Sequence, residues 1–401
     1  MTQIDTGRQR TGWLNATVLG IGLASLFSDV AHEMATAAMP ALLATLGAGA
    51  AYLGLIEGLA DGLSSFVKLF SGLYSDRLRR RKPLAVAGYF VTALGMASFA
   101  FAGQWWHVLL GRVGAWIGRG ARSPVRNVLL ADATTPDAYG RAFGLERAMD
   151  SAGAIIGPLL SLALVAIVGL RPMFLWTFVP GLCAVLCMAF LVRERPHEPQ
   201  PHARLWGSMQ ALPHEFKKYL VGVGMAGIGD FSNTLLILFA TQAWTPRYGV
   251  ATAARMAMMF YVGYNVVYTV SCYVSGLLAD RFPKHWVLAI GYAFAVVPAI
   301  ALLMPGDSLA KFAVVFGVSG LYMGVWETLE SSTAATLLPD KVRGIGFGVL
   351  STVNGLGDFL SSLLVGVFWA ISPGLSMGFV IATSLTGAAI IAATGAKRAT
   401  S

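Results

Sequence analysis

Ser71-Gly72-Leu73-Tyr74-Ser75-Asp76-Arg77-Leu78-Arg79-Arg80-Arg81-Lys82-Pro83 returns, softened, as Ser275-Gly276-Leu277-Leu278-Ala279-Asp280-Arg281-Phe282-Pro283-Lys284. The two aspartates lie 280 − 76 = 204 residues apart. The same 204 relates Phe27-Ser28-Asp29 to Phe231-Ser232-Asn233, and Phe143-Gly144 to Phe347-Gly348. A constant shift in three separate places predicts a chain built from two copies of one half.

The 401-residue chain is 56% hydrophobic and 12% charged, about half the charge of a soluble domain. Apolar stretches of spanning length recur throughout, and residues 84–102, 173–192, 287–304 and 379–393 are almost uncharged. Twelve candidate spans result, at about 14–40, 51–74, 83–103, 106–131, 141–168, 172–192, 217–243, 254–279, 285–304, 309–335, 342–370 and 374–396. Each can cross a hydrocarbon core of about 30 Å. Period-2 patterning is absent, so the spans are expected to be helices, whose backbone groups are satisfied internally. The fold class is an all-α polytopic membrane protein, with twelve transmembrane helices in two pseudo-symmetric six-helix bundles. Residues 1–12 are polar and the first apolar run is long, so no cleavable leader is expected.

The net charge of +9 follows topology. With the amino terminus inside, 19 Lys and Arg fall on cytoplasmic segments, against Arg171, Arg247, Arg255 and Lys311 on the opposite loops. That asymmetry predicts a multi-pass protein of the cell inner (plasma) membrane with both termini cytoplasmic, and no nucleic-acid partner. Cys183, Cys187 and Cys272 lie in apolar spans, where buried thiols usually pack. His197, His202 and His214 fall in a Pro- and charge-rich central loop, 193–216, between an amino-terminal bundle, 1–192, and a carboxy-terminal bundle, 217–401. No metal cage, cofactor motif or phosphate-binding Gly-x-x-x-x-Gly-Lys loop is visible.

Gly72-x-x-Ser75-Asp76-Arg77-x-Arg79-Arg80-Arg81 resembles the loop motif of the major facilitator superfamily between helices 2 and 3, with Arg79 where that pattern has Gly. Gly276…Ala279-Asp280-Arg281 is similar to its weaker second-half copy. Phe27-Ser28-Asp29-Val-Ala-His32-Glu33, Gly54-Leu-Ile-Glu57 and Gly118-Arg-Gly-Ala-Arg122-Ser-Pro124-Val-Arg126 resemble a prokaryotic branch of the superfamily whose substrates are mostly unassigned; Asn127 replaces an Asp expected there. Gly144, Gly153, Gly157 and Pro158 have spacing similar to the fifth-helix motif of proton-driven drug exporters, with Ser161-Leu162 in place of their Gly-Gly. The resemblance implies gating roles for Gly72, Asp76, Arg77, Asp280 and Arg281. Gly at i and i+4 also allows close helix approach, and Gly157-Pro158 invites a bend.

Charge inside the spans marks the working region, because each ionised group there is costly unless paired or wetted. The first span carries Asp29 and Glu33 on one face, with His32 beside them; the second carries Glu57, Asp61 and Lys68. The fourth has Arg112, Arg119, Arg122 and Arg126, the fifth Glu146, Arg147 and Asp150, the seventh Asp230, the tenth Glu327 and Glu330, and the eleventh Asp358. The resemblance implies a central cavity lined by spans 1, 4, 7 and 10, with His32, Arg112, Arg119, Arg122, Tyr322 and Trp326 as candidates. Arg112 resembles an exporter arginine linked to proton coupling, without its accompanying Gln. The fourth-span arginines have two readings. Arg119, Arg122 and Arg126 could form an ion-pair network with Asp29, Glu33, Glu146 and Asp150, serving as gate and scaffold. Alternatively, one or two of them bind an anionic group on the cargo. A proton-coupling site needs a desolvated carboxyl whose charge a partner or cargo can shift. Asp29 and Glu33 are the first candidates, with Glu327 and Glu330 an opposing pair that no Lys or Arg of its own helix is placed to neutralise.

These features predict a proton-coupled secondary transporter that alternates access between its halves, and not an enzyme. Export of a small organic molecule is the expected direction; import of an organic anion or metabolite is the alternative. A non-transporting sensor or membrane enzyme is a remote third, lacking both a soluble domain and a nucleophile–base pair. The expected partners are a small-molecule substrate, protons and the bilayer, with the chain acting as a monomer.

Overall fold

The computed structural model describes residues 12–48, 50–194, 198–199, 205–230 and 233–394. His197, His202, Phe231 and Ser232 lie outside the described residues. Helix follows helix: α1 (Ala16–Thr45), α2 (Ala50–Arg77), α3 (Lys82–Ala97), α4 (Trp105–Asp132), α5 (Tyr139–Val168), α6 (Leu170–Trp176), α7 (Phe178–Leu186) and α8 (Leu205–Gln210). There follow α9 (His214–Ile228), α10 (Asn233–Tyr248), α11 (Val250–Arg281), α12 (Lys284–Ala293), α13 (Val296–Leu303), α14 (Leu309–Leu337), α15 (Arg343–Ile371) and α16 (Pro373–Thr394). The pairs α6–α7, α9–α10 and α12–α13 each build one rod, so twelve rods stand side by side, with α8 in the central loop. Local chemistry sets their ends. The Asn15 side chain accepts from the Thr17 and Val18 N–H groups to start α1, and Gly169, at φ +86°, turns α5 into α6.

Among the described residues, nine helices are long and apolar enough to cross a membrane by length and composition. The other three rods fall short for visible reasons. α2 carries Glu57, Asp61 and Lys68, α4 carries four arginines, and in the seventh rod α9 ends at Ile228, with Gly229 and Asp230 no longer helical. Large apolar side chains such as Phe101, Leu162, Ile167 and Met259 stand more than 70% exposed on the flanks. Only a lipid surround accommodates such a surface, and the chain is a multi-pass membrane protein.

The packed interior is joined at one end and split at the other. At the end bearing the central loop, one apolar core runs through both halves, from Val18 and Leu73 to Phe347 and Ile391. At the far end there are two separate cores. One, from Val30 to Phe174, lies within the first half; the other, from Leu236 to Val380, lies within the second. Phe143 and Phe347, the repeat-related pair, meet on the pseudo-twofold axis with ring centroids 6.1 Å apart.

Candidate functional site

At the central-loop end the halves are clasped twice, crosswise. The Asp76 Oδ1 accepts the Gly344 N–H at 3.0 Å and its Oδ2 accepts the Ile345 N–H at 2.8 Å, so α2 caps the N-terminus of α15. Asp280 repeats this from the other side. Its oxygens accept the Gly140 N–H at 2.8 Å and the Arg141 N–H at 3.0 Å, so α11 caps α5. Gly140 and Gly344 differ by 204, as do Arg141 and Ile345, so the two contacts are copies of one. Each places an anion where unpaired helix N–H groups and the helix dipole favour it.

Glycine makes the approach possible. A Cβ on Gly72 would sit 2.4 Å from the Gly344 carbonyl oxygen, and one on Gly276 would sit 2.3 Å from that of Gly140. The α2–α15 contact continues to Ser65 and Gly355, and the α5–α11 contact to Ser151, whose Oγ lies 3.0 Å from the Thr269 Oγ1. Beyond, Gly62 and Gly58 of α2 and Gly263 of α11 would place a Cβ in open space. From Asp76 to Ser65 the α2 side of the α2–α15 contact covers eleven residues, about 16 Å of helical rise. Toward the face opposite the central loop the interior divides into the two separate cores, and the space between them is the cleft.

The cation on Asp76 is Arg81, which reaches back with its Nη2 3.1 Å from the Asp76 Oδ1. Arg81 also lies 3.1 Å from Asp132, whose other oxygen accepts from Arg343; Arg343 in turn pairs with Asp340 at 2.6 Å. Arg281 is exposed, and the cations on Asp280 are Arg141 at 2.7 Å and Lys284 at 3.8 Å. Arg81, Asp132, Arg141 and Arg343 lie on four different segments of the chain and carry no local motif that joins them. Their roles depend on which loop the fold folds back, which linear spacing does not encode.

Asp76→Ala is expected to remove two charge-assisted hydrogen bonds and leave Arg81 underpaired, costing the clasped state about 1.5–3 kcal/mol. Spin labels at the exposed positions 79 and 341 would report it as a new, longer distance population; an unchanged distribution would mean that the carboxylate does not hold the halves together.

The cleft floor carries two sets of ion pairs. Arg119 of α4 faces Asp29 of α1, Nη2 to Oδ1 3.6 Å. Arg126 binds Glu146 at 2.8 Å and approaches Asp150 at 3.7 Å, and the Ser25 hydroxyl donates to Glu146 at 2.7 Å. Arg147 touches Glu146 at 3.5 Å and Asp150 at 3.7 Å, then crosses to Glu327 of α14 at 3.2 Å. Lys68 lies in the field of Asp358, Arg119, Asp61 and Glu327. The fifth-span glycines bear on the Asp29 set. A Cβ on Gly153 would meet the Asp29 Cβ at 2.8 Å, and one on Gly157 the Glu33 Cβ at 2.6 Å. Both glycines thus seat α5 against the acidic face of α1.

Several expected positions differ. Glu327 and Glu330 do not form an unneutralised pair: Arg147 of the first half neutralises Glu327, since a charge at this depth requires a partner. Glu330, 2% exposed, is held inside the second half by the Tyr292 hydroxyl and by Asn354 at 2.6 Å. Arg112, 2% exposed, is engaged by Glu57 at 2.8 Å, by Thr36 at 3.0 Å and by the Trp116 ring at 4.2 Å. His32 packs on the same ring at 4.4 Å. Arg122 leaves the acidic network: it lies over the Tyr89 ring at 4.0 Å and donates to Ser28 at 2.8 Å. Tyr322 and Trp326 are buried against each other, with Trp326 edge-on to Tyr292, rather than open to the cleft, because these rings pack into the joined core at the central-loop end. Of the six cavity candidates, Arg119 is the one whose side chain stays substantially open, at 30%.

Comparison with known proteins fits this architecture. The family model of the Major Facilitator Superfamily matches residues 21–362. An uncharacterized MFS-type transporter of Methanocaldococcus jannaschii is 26% identical over 367 residues, covering 90% of this chain and 91% of the relative. The multidrug resistance protein MdtH of Photorhabdus laumondii is 37% identical over 110 residues, 26% of this chain and 27% of that protein. Among solved structures, an MFS transporter, FucP, in the outward conformation superposes with a TM-score of 0.76 at 16% identity, over 96% of this chain and 99% of that one. The repeat, the twelve rods and the crossed clasps thus have their place: the chain belongs to the major facilitator superfamily, a family of transporters and not of enzymes.

Proposed function

We propose that the protein is a proton-coupled exporter of a small organic molecule in the plasma membrane, with both termini cytoplasmic. The observation that carries this reading is the pair of ion-pair clusters at the cleft floor: one crosses between the halves through Arg147 and Glu327, and beside it Asp29 is held loosely by Arg119. Asp29 sits 3.6 Å from Arg119, whereas Glu146 and Glu327 are held at 2.8 and 3.2 Å. A carboxylate whose cationic partner is partly open to water can exchange that partner for a proton or for cargo without breaking a buried contact. Glu33, 28% exposed and 3.7 Å from the His32 imidazole, gives that proton a route to the cleft.

The crossed clasps supply the alternating element. Closed, they seal the central-loop face while the other face is open; opened, they would invert access, because the two helix crossings are bistable packings rather than a continuous slide. The basic residues concentrated on the clasped face support its being cytoplasmic. Export is favoured by the glycine seat of α5 on Asp29 and Glu33 and by the partial likeness to a multidrug resistance protein.

The test is flux in proteoliposomes under an imposed pH gradient, with a panel of cationic and neutral organic compounds. Cargo movement opposite to the proton gradient is expected. Uptake in the same direction as protons would overturn the export reading, and flux indifferent to the gradient would overturn proton coupling.

A further inference from the structure

A groove of about 820 Å³ opens on the outer flank of the first half, away from the cleft and at the basic end. One wall is the stripe Pro83, Val86, Ala87 and Phe90 of α3, residues one helical face apart. The other is the end of the sixth rod, where a π-helical turn, Cys187–Leu191, replaces the α-helix and turns Phe190 outward to 77% exposure. Such turns are rare and concentrate at functional positions. In depth the groove reaches Phe90, whose ring meets Phe178 edge-on at 6.4 Å.

The mouth is cationic. Arg80, Lys82 and Arg193 line it, with Glu194 as its one acid. Glu194 is already committed: its oxygens accept the backbone N–H groups of Arg81 and of Lys82, the latter at 3.0 Å, which caps the start of α3. The Lys82 Nζ gives one hydrogen bond to the Val192 carbonyl at 2.8 Å, leaving two of its three donors. Arg80 and Arg193 are exposed and, among the described residues, form no ion pair. The groove therefore pairs an apolar trough, about 12 Å from Lys82 to Phe90 by helical rise, with a cationic rim at one end.

We propose that this groove is a binding site for an acidic phospholipid of the surrounding bilayer. The phosphodiester sits among Arg80, Lys82 and Arg193, and one acyl chain lies along α3 toward Phe90 and Phe190. Basic clefts between membrane helices on the cytoplasmic side select anionic head groups in this way, and each cation near the surface is worth about fivefold in affinity. A soluble anion would use the rim but not the trough, and a zwitterionic lipid would use the trough but gain little from the rim.

Native mass spectrometry of the detergent-purified protein, titrated with phosphatidylglycerol and phosphatidylcholine of matched chains, tests this. The wild type is expected to bind phosphatidylglycerol about tenfold or more tightly than phosphatidylcholine. Arg80→Gln with Arg193→Gln should bring the two lipids to near parity, whereas Arg80→Lys with Arg193→Lys should keep most of the preference. Arg247→Gln, a charge change at the opposite end, should leave it untouched, and glycerol 3-phosphate should not compete. Equal binding of both lipids by the wild type, a preference that survives the glutamine pair or collapses in the lysine pair, or displacement by glycerol 3-phosphate would each overturn the proposal.

Discussion

Replacing Asp29 by Asn and Glu33 by Gln together is expected to lower gradient-driven flux by about 100-fold, the upper range of a single coupling free energy. The substitutions keep shape and hydrogen-bonding capacity but remove the titrating proton. Arg119 loses its acid, yet its side chain is 30% exposed to the cleft and can be hydrated, so the fold should survive. The distinction from a structural defect lies in a second assay: exchange of labelled for unlabelled cargo without any gradient should persist. If both activities vanish, the acids hold structure or cargo. If both persist at wild-type levels, the coupling carboxyl lies elsewhere, and Glu327, bridged to Arg147 across the halves, becomes the next to test.

Gly276→Ala is expected to prevent the central-loop face from closing. The added methyl would lie 2.3 Å from the Gly140 carbonyl oxygen, with the Gly144 Cα 3.3 Å away. Both neighbours are backbone, so no side chain can rotate aside and α5 and α11 must separate. Overpacking of this kind costs about 1–3 kcal/mol, which shifts the balance between the two faces by roughly 5- to 150-fold. Distances between spin labels at the exposed positions 79 and 341, compared in the wild type, Gly276→Ala and Gly72→Ala, would read the effect at both copies, Gly72 meeting the Gly344 oxygen at 2.4 Å. Gly378→Ala, which meets nothing within 4 Å, is the control and should change neither the distances nor flux. Unaltered closure in Gly276→Ala would show that the crossing is looser than the geometry requires.

Repetition made the frame readable. The 204-residue shift predicted two related halves, and Phe143 and Phe347 do meet on the axis between them. The apolar spans gave the rods because a lipid-spanning backbone leaves few alternatives to helix. Partners across the halves were harder to foresee. The helix start that Asp76 caps is that of α15, which depends on the crossing, and its pairing with Arg81 depends on the chain's reversal after α2. A signal did exist: Gly140 and Gly344 obey the same shift, and glycine is what a capped, closely crossed helix start would need. The tenth-span acids show the limit from the other side. No basic residue on α14 itself answers Glu327, and local sequence cannot show that Arg147 arrives from α5.

The crossed clasps have the form of an isologous contact folded into one polypeptide. In a twofold dimer, a patch that carries both a donor and its acceptor is complementary to its own copy. Each half here carries one capping aspartate and one glycine-led helix start, and each gives the aspartate and receives at the helix. Fusion of the halves frees the copies to diverge without losing register. One clasp could gather Arg81, Asp132 and Arg343 while the other kept only Arg141 and Lys284. A machine that began with equal grips can in this way acquire a strong and a weak one, and with them a preferred order of release.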